Sequence, residues 1–215
     1  MGIGKWVAAG AGLVAAGGAV AYAQYRDIEK PAYEVVMADE AFELRQYGTM
    51  IVAEVTHTGS RRGTSGKSFR RLAAYIFGDD RPDGGEPIAM TSPVISERVN
   101  QNEAIAMTSP VMSEELGDGE WRMRFVMPSK YTMETLPTPP SAVTLTEVPG
   151  RRMAAVQFSG NAPEGDLAEM EAQLNNWVED QGLTPVGSIE YAFYDAPMVP
   201  GPLRRNEVMV EVAAQ

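Results

Sequence analysis

Short runs of alternating apolar and polar residues dominate the sequence, and only two segments carry a helical period. From Met50 to Thr58, Ile51, Ala53, Val55 and His57 fall on one side and Met50, Val52, Glu54 and Thr56 on the other, which is the period of two of a strand. Further strands are predicted at Tyr33–Met37, Phe42–Tyr47, Ile88–Ser96, Ala104–Ser113, Trp121–Met127, Val143–Val148, Met153–Ser159, Ser188–Tyr194 and Val208–Val212. Phe69, Leu72, Ala73, Ile76 and Phe77 recur instead at i, i+3, i+4, i+7 and i+8, one stripe of a helix, with Gly78 placed to stop it. A second helix is predicted from about Pro163 to Gln181 on the stripe Leu167, Met170, Leu174, Trp177 and Val178, with Gly182 after its end. Gly117-Asp118-Gly119 and Pro149-Gly150 are turn signals, and Pro137, Pro139 and Pro140 make a stiff link.

The order strands, helix, strands occurs twice. With an offset of 101 residues, FELRQYGTMIVAEVTHTG (42–59) falls on VTLTEVPGRRMAAVQFSG (143–160) without a gap, matching Leu44 with Leu145, Ala53 with Ala154, Val55 with Val156 and Gly59 with Gly160. The expected fold class is α+β: a distorted antiparallel β-barrel with two flanking helices and an internal pseudo-twofold repeat. It is expected to form one domain over 33–213, because half a barrel would leave an open edge and an uncovered face.

Residues 1–25 break the pattern. Lys5 is their one charge, and the stretch from Trp6 to Tyr25 is mostly Ala and Gly, ending in Ala21-Tyr22-Ala23. An uncharged run closing on A-x-A reads as an export signal over 1–23, which makes a bacterial protein periplasmic. The alternative is a retained anchor, with membrane association through residues 6–23. Residues 24–32 are a polar linker ending near Pro31.

Composition narrows the chemistry. The chain has 215 residues, no cysteine, one histidine and a net charge of −11. Zero cysteine excludes disulfides, thiolate metal sites and thiol nucleophiles. One histidine excludes a multi-histidine zinc site within one chain. The acidic balance argues against nucleic acid as a partner. GDDRPDGGE (78–86) fails as a calcium loop, because Arg81 stands where an oxygen ligand is needed. No phosphate loop, HExxH or GxSxG occurs, and no acid, base and nucleophile set is evident, so a non-enzymatic binding protein is expected.

Three features stand out against this background. IAMTSPV occurs at 88–94 and again at 105–111, either as a duplicated strand motif or as a pocket wall carrying Met90 and Met107. His57 is either structural or a ligand. The offset of 101 puts Phe158 at its counterpart, which favours the structural reading, although imidazole and thioether both ligate haem iron. RRGTSGKSFRR (61–71) gathers five positive charges at the start of the first helix, either a solvated helix end or a dock for an anionic ligand.

The motifs together resemble the SOUL, or haem-binding protein, family. IAMTSPV resembles its K-[IM]-A-M-T-[AS]-P-V signature, and MRFVMPSKY (123–131) its F-x-[IM]-P strand. FELRQYG resembles its Y-E-[VL]-R-x-Y opening, and YDAPMVPGPLRRNEVMV (194–210) its C-terminal segment. The likeness runs over about 33–212 and implies non-covalent binding of haem or a related tetrapyrrole in a shallow apolar pocket. The alternative is another apolar small molecule or a protein partner.

Carried onto this chain, the family pocket points to Phe69, Leu72, Ala73 and Ile76 on the first helix and to Tyr194 and Met198 on the C-terminal loop. Axial-ligand candidates are His57 and Met90. The family's histidine just before the Tyr-Gly is Gln46 here, which is not a normal haem ligand. Propionate partners are Arg70, Arg71, Arg204 and Arg205, the last two with an alternative role in a network pinning the final strand.

Overall fold

The computed structural model describes residues 28–99 and 119–214. The predicted export segment, the strand at Ala104–Ser113 and the second IAMTSPV copy with Met107 lie outside the described residues.

Among the described residues, nine strands form one antiparallel sheet that curls into a half-barrel: β1 (Tyr33–Asp39), β2 (Phe42–Tyr47), β3 (Met50–Thr58), β4 (Val94–Val99), β5 (Glu120–Val126), β6 (Thr144–Val148), β7 (Arg152–Phe158), β8 (Glu190–Phe193) and β9 (Asn206–Val212). Their spatial order is β1-β2-β7-β9-β8-β4-β5-β3-β6. Two helices, α1 (Arg61–Phe77) and α2 (Glu164–Asp180), pack on the sheet, and a short 3₁₀ turn covers Gly201–Leu203.

Alternation decides which side of the sheet each residue serves. Ala53, Val55, Met123 and Phe125 join Leu72, Tyr75 and Ile76 of α1 in one core. Leu44, Ala154, Val156, Val208, Val210 and Val212 join Leu167, Leu174, Trp177 and Val178 of α2 in another. The neighbours of these strand residues point the other way, as Val52 does toward Ile95 and Val126. The predicted split of β3 into two faces therefore stands.

Helix α1 starts at Ser60, whose side chain accepts a hydrogen bond from the Gly63 amide, and stops at Gly78, at φ +87°. Its buried stripe is Thr64, Ser68, Leu72, Tyr75 and Ile76. The predicted stripe is thus rotated: Phe69 and Phe77 lie at its margin and are exposed. Small Thr64 and Ser68 let the first turns approach the sheet, a role that counting only apolar residues misses. The predicted strand Ile88–Ser96 is shortened to begin at Val94. Before it, Ile88 is tied by its amide to the Ile76 carbonyl (2.8 Å) and Ser92 by its amide to the Glu29 carbonyl (2.9 Å).

The face opposite the helices carries charge. Arg45 of β2 and Glu207 of β9 are almost fully buried and form a bidentate pair at 2.8 and 3.0 Å. Tyr194 donates to Glu207 at 2.8 Å, Arg205 donates to it at 2.6 Å, and Arg45 donates to the Tyr47 hydroxyl at 3.2 Å. A second chain of ion pairs runs across β3, β5, β4 and β8 through Glu54, Arg124, Glu97 and Glu190. Arg151 extends it from Glu190 to Glu211.

Burial alone would resist ionisation of Glu207, but the hydrogen bonds and charges of Arg45 and Arg205 outweigh it and hold the carboxyl below the usual carboxylate range. Burial pushes the Tyr47 phenol up to about 12. Burial likewise raises the Glu97 carboxyl, against the opposing pull of Arg124.

Two outcomes follow. Arg45→Met leaves Glu207 short of a buried partner and is expected to lower stability by about 3–5 kcal/mol, whereas R45M/E207L loses less than the two single changes added together. Chemical denaturation of the four proteins measures both. The pH dependence has a definite sign. The depressed Glu207 contributes stability that is complete above its unfolded value of roughly 4.3 and disappears as pH falls through its lower folded value. E207Q should therefore flatten the acid limb of the Tm profile below about pH 4.3, and an acid limb as steep as wild type would contradict it.

Candidate functional site

The helix residues implied by the family resemblance divide by burial. Leu72 and Ile76 face the sheet and are sealed in the core beneath α1. Phe69 and Phe77 stand at the surface, 40% and 48% exposed, with half-buried Ala73 between them at i, i+4, i+8. Phe69 is steadied by an edge contact to Phe125, with ring centroids 5.3 Å apart. Arg70 and Arg71 are exposed on the same helix, and Arg71 reaches Asp80 at 3.6 Å. Arg61, at the helix start, instead pairs with Glu164 of α2.

The C-terminal candidates lie apart from this group. Tyr194 is buried on the sheet face opposite the helices, with its hydroxyl on Glu207. Met198 projects from the β8–β9 loop, 87% exposed. Arg205 is held by Glu207, and its guanidinium stacks over the Tyr194 ring at 4.4 Å. Its amide donates to Asp195 at 2.6 Å. Arg204 donates to the carbonyls of Val199 and Pro197. Both arginines therefore shape the loop and pin β9, the structural alternative raised by the sequence. Tyr194, Leu72 and Ile76 do not share a ligand-facing surface with Phe69.

His57 is half-buried on the α1 side of β3, and the Ser68 hydroxyl lies 3.0 Å from its Nδ1. Bonding of His57 to a metal would therefore use Nε2. Met90 is partly buried against the core beneath α1.

A cavity of about 780 Å³ opens at one end of the sheet. Its wall includes Met50, Met127, Met133, Val126 and Tyr131, with Thr91 at one side. Pro31 and Ala32 close it from the N-terminal side, where Glu29 fixes the chain by accepting from the Ser129 amide at 2.8 Å. Among the described residues, three carboxylates, Glu29, Glu134 and Glu147, line it beside one cation, Lys30. The sequence reading names none of these as site residues. The available signals are the MPSKY stretch after β5 and the high methionine count, since thioethers supply adaptable apolar walls. The volume lies within the range of small-molecule sites.

The donors present fit a haem group in kind, because imidazole, thioether and phenol all bind haem iron. On the exposed part of α1, Arg70 and Arg71 follow Phe69 along the helix. In the end cavity, thioethers and Tyr131 lie beside carboxylates.

Comparison with known proteins places this geometry. No individually curated protein matches the chain. Among solved structures, a protein described as a hydrolase from Listeria innocua is 14% identical, with 83% of this chain and 94% of that one covered at a TM-score of 0.56. The C-terminal domain of EcmrR is 12% identical, covers 85% of this chain and 99% of its own, and has a TM-score of 0.57. An uncharacterised conserved protein from Listeria innocua is 15% identical over 86% and 93%, with a TM-score of 0.56. At these identities the likeness is one of fold alone. The sequence match is more specific: the family model described as SOUL heme-binding protein covers residues 28–211, taking in β1 through most of β9, and the chain belongs to that family.

Proposed function

We propose that this protein binds haem or a related tetrapyrrole, without transforming it, on the outer face of α1. The observation that carries this reading is the pairing of Phe69 and Phe77, exposed along about 12 Å of helix, with the cations Arg70 and Arg71. A porphyrin is a flat apolar ring edged by carboxylates. The phenyl groups take its face by burial, at roughly 25 cal/mol per Å² before association costs, and the arginines meet its propionates. His57 and Met90, the axial-ligand candidates of the sequence, lie on the sheet side of α1, so a ring on the outer face of the helix is held by burial and charge rather than by either of them. An iron porphyrin bound there would bring redox and gas-binding chemistry. The protein's own residues hold the ring, neutralise its edge and exclude water from one face.

The end cavity supports a second reading. Its apolar wall suits a flat or elongated molecule, but three carboxylates against one lysine disfavour a dianionic edge. A neutral or cationic apolar ligand fits it better. For the N-terminal segment, the uncharged run ending in A-x-A supports export or membrane anchoring, which N-terminal sequencing of the purified protein reads directly.

Hemin titration followed at the Soret band separates the two sites. R70E/R71E is expected to weaken binding roughly tenfold or more, while M133E in the cavity leaves it unchanged. The reverse pattern overturns the α1 site in favour of the cavity, and no saturable Soret change in the wild type removes haem as the ligand. His57→Ala tests ligation: a ring held by burial keeps its Soret position, whereas a shifted band identifies His57 as an iron ligand.

A further inference from the structure

The β8–β9 loop carries Met198, which the family resemblance points to as a pocket residue and which stands apart from the other candidates. Its segment Ala196–Leu203 reads APMVPGPL, with no charge and three prolines. Among the described residues, Met198 at 87% and Leu203 at 62% are the two most exposed large apolar side chains. Pro197, Pro200 and Pro202 are exposed with them.

Exposed loops are ordinarily mobile, but this one is braced from within. Arg204 donates through Nε to the Val199 carbonyl at 2.7 Å and through Nη2 to the Pro197 carbonyl. The Val199 amide donates to the Ala196 carbonyl (3.0 Å), the Leu203 amide to the Pro200 carbonyl (2.9 Å) and the Arg204 amide to the Gly201 carbonyl (3.0 Å). Gly201 also accepts from the Gly160 amide (3.0 Å), which ties the loop to the connection between β7 and α2. At the base, the Tyr194 amide donates to the Arg205 carbonyl (3.2 Å), and the Arg205 amide donates to Asp195 (2.6 Å).

These bonds bear on what the loop can meet. A loop that faces water needs no internal partners, because water supplies them. At the edge of hydrocarbon each unmet backbone group is costly. Here proline removes three N–H groups, and the carbonyls of Ala196, Pro197, Val199, Pro200 and Gly201 all accept from within the chain. A tip of eight residues is also small for a stable protein interface, which needs about 1,000 Å² with good complementarity. A bilayer sets no such requirement.

We propose that the β8–β9 loop is a membrane-contact tip, in which Met198, Leu203 and the prolines between them enter the headgroup–acyl boundary of a bilayer. Arg204 stays on its own loop's carbonyls, so no cation has to follow the tip. The inference rests neither on the haem reading nor on the N-terminal segment. The chain's charge of −11 sets the lipid preference: an anionic surface repels it, and a zwitterionic one does not. Two large apolar side chains give weak, reversible contact.

The chain has no cysteine, so a single one introduced at the tip carries an environment-sensitive dye alone. In full-length M198C labelled with nitrobenzoxadiazole, phosphatidylcholine vesicles should shift the emission to the blue and raise it about twofold or more, saturably with lipid. Labelled V186C, at an exposed site whose amide bonds Glu211 near the far end of β9, should change little. Adding L203D to labelled M198C should raise the lipid concentration at half-change roughly tenfold, with the far-ultraviolet spectrum unchanged. No change at 198, or an equal change at 186 and 198, overturns the proposal. So does an undiminished response in L203D, which is what capture by the N-terminal segment alone would give. A change at 198 caused by raising protein concentration without vesicles, or by hemin and not by vesicles, also overturns it and assigns the loop to a second copy or to the ring.

Discussion

The pair between Arg45 and Glu207 constrains more of this structure than any other contact. A guanidinium and a carboxylate removed from water are tolerable only when both are fully hydrogen-bonded, so β2 and β9 must sit in the one register that brings them together across β7. A slip of one residue would bury an unpaired charge and turn Leu44, Val208 and Val210 away from α2. Tyr194 and Arg205 join the same carboxylate, so the β8–β9 loop is set by it as well.

That constraint explains the division of labour between the two faces of the sheet. One face is apolar and is covered by α1 and α2. The other carries ion pairs strand after strand, from Glu54 through Arg124, Glu97 and Glu190 to Arg151. The arginines of this network are held by carboxylates of the fold itself. Among the described residues, the surfaces that the packing leaves open include the outer side of α1 and the end of the sheet. Motif residues that look like ligand groups in the sequence, Arg205 and Tyr194 above all, are bonded to Glu207 instead.

Much of the fold was legible in the sequence because it rests on local periodicity. Alternation marked β3 and its two faces, the i, i+3, i+4 spacing marked both helices, and Gly78 marked where α1 stops. The site was less legible. Phe69 and Phe77 belong to an apolar helical stripe, and periodicity cannot distinguish a stripe that is buried from one at its margin. Thr64 and Ser68, polar by type, took the buried positions because they are small enough for α1 to approach the sheet. The cavity beside Met50, Met127 and Met133 joins residues distant in the chain, so no window of sequence contains it.

By itself the sequence determined the class of fold, the family and the kind of chemistry excluded, since each follows from residue types and their spacing. Only the tertiary structure decided which charges are spent. Arg205 and Arg70 are alike as letters in a sequence, but one lies against a buried carboxylate and the other points to water. A side chain's availability depends on its partner, and partners such as Arg45 and Glu207, 162 residues apart, meet only when the sheet closes.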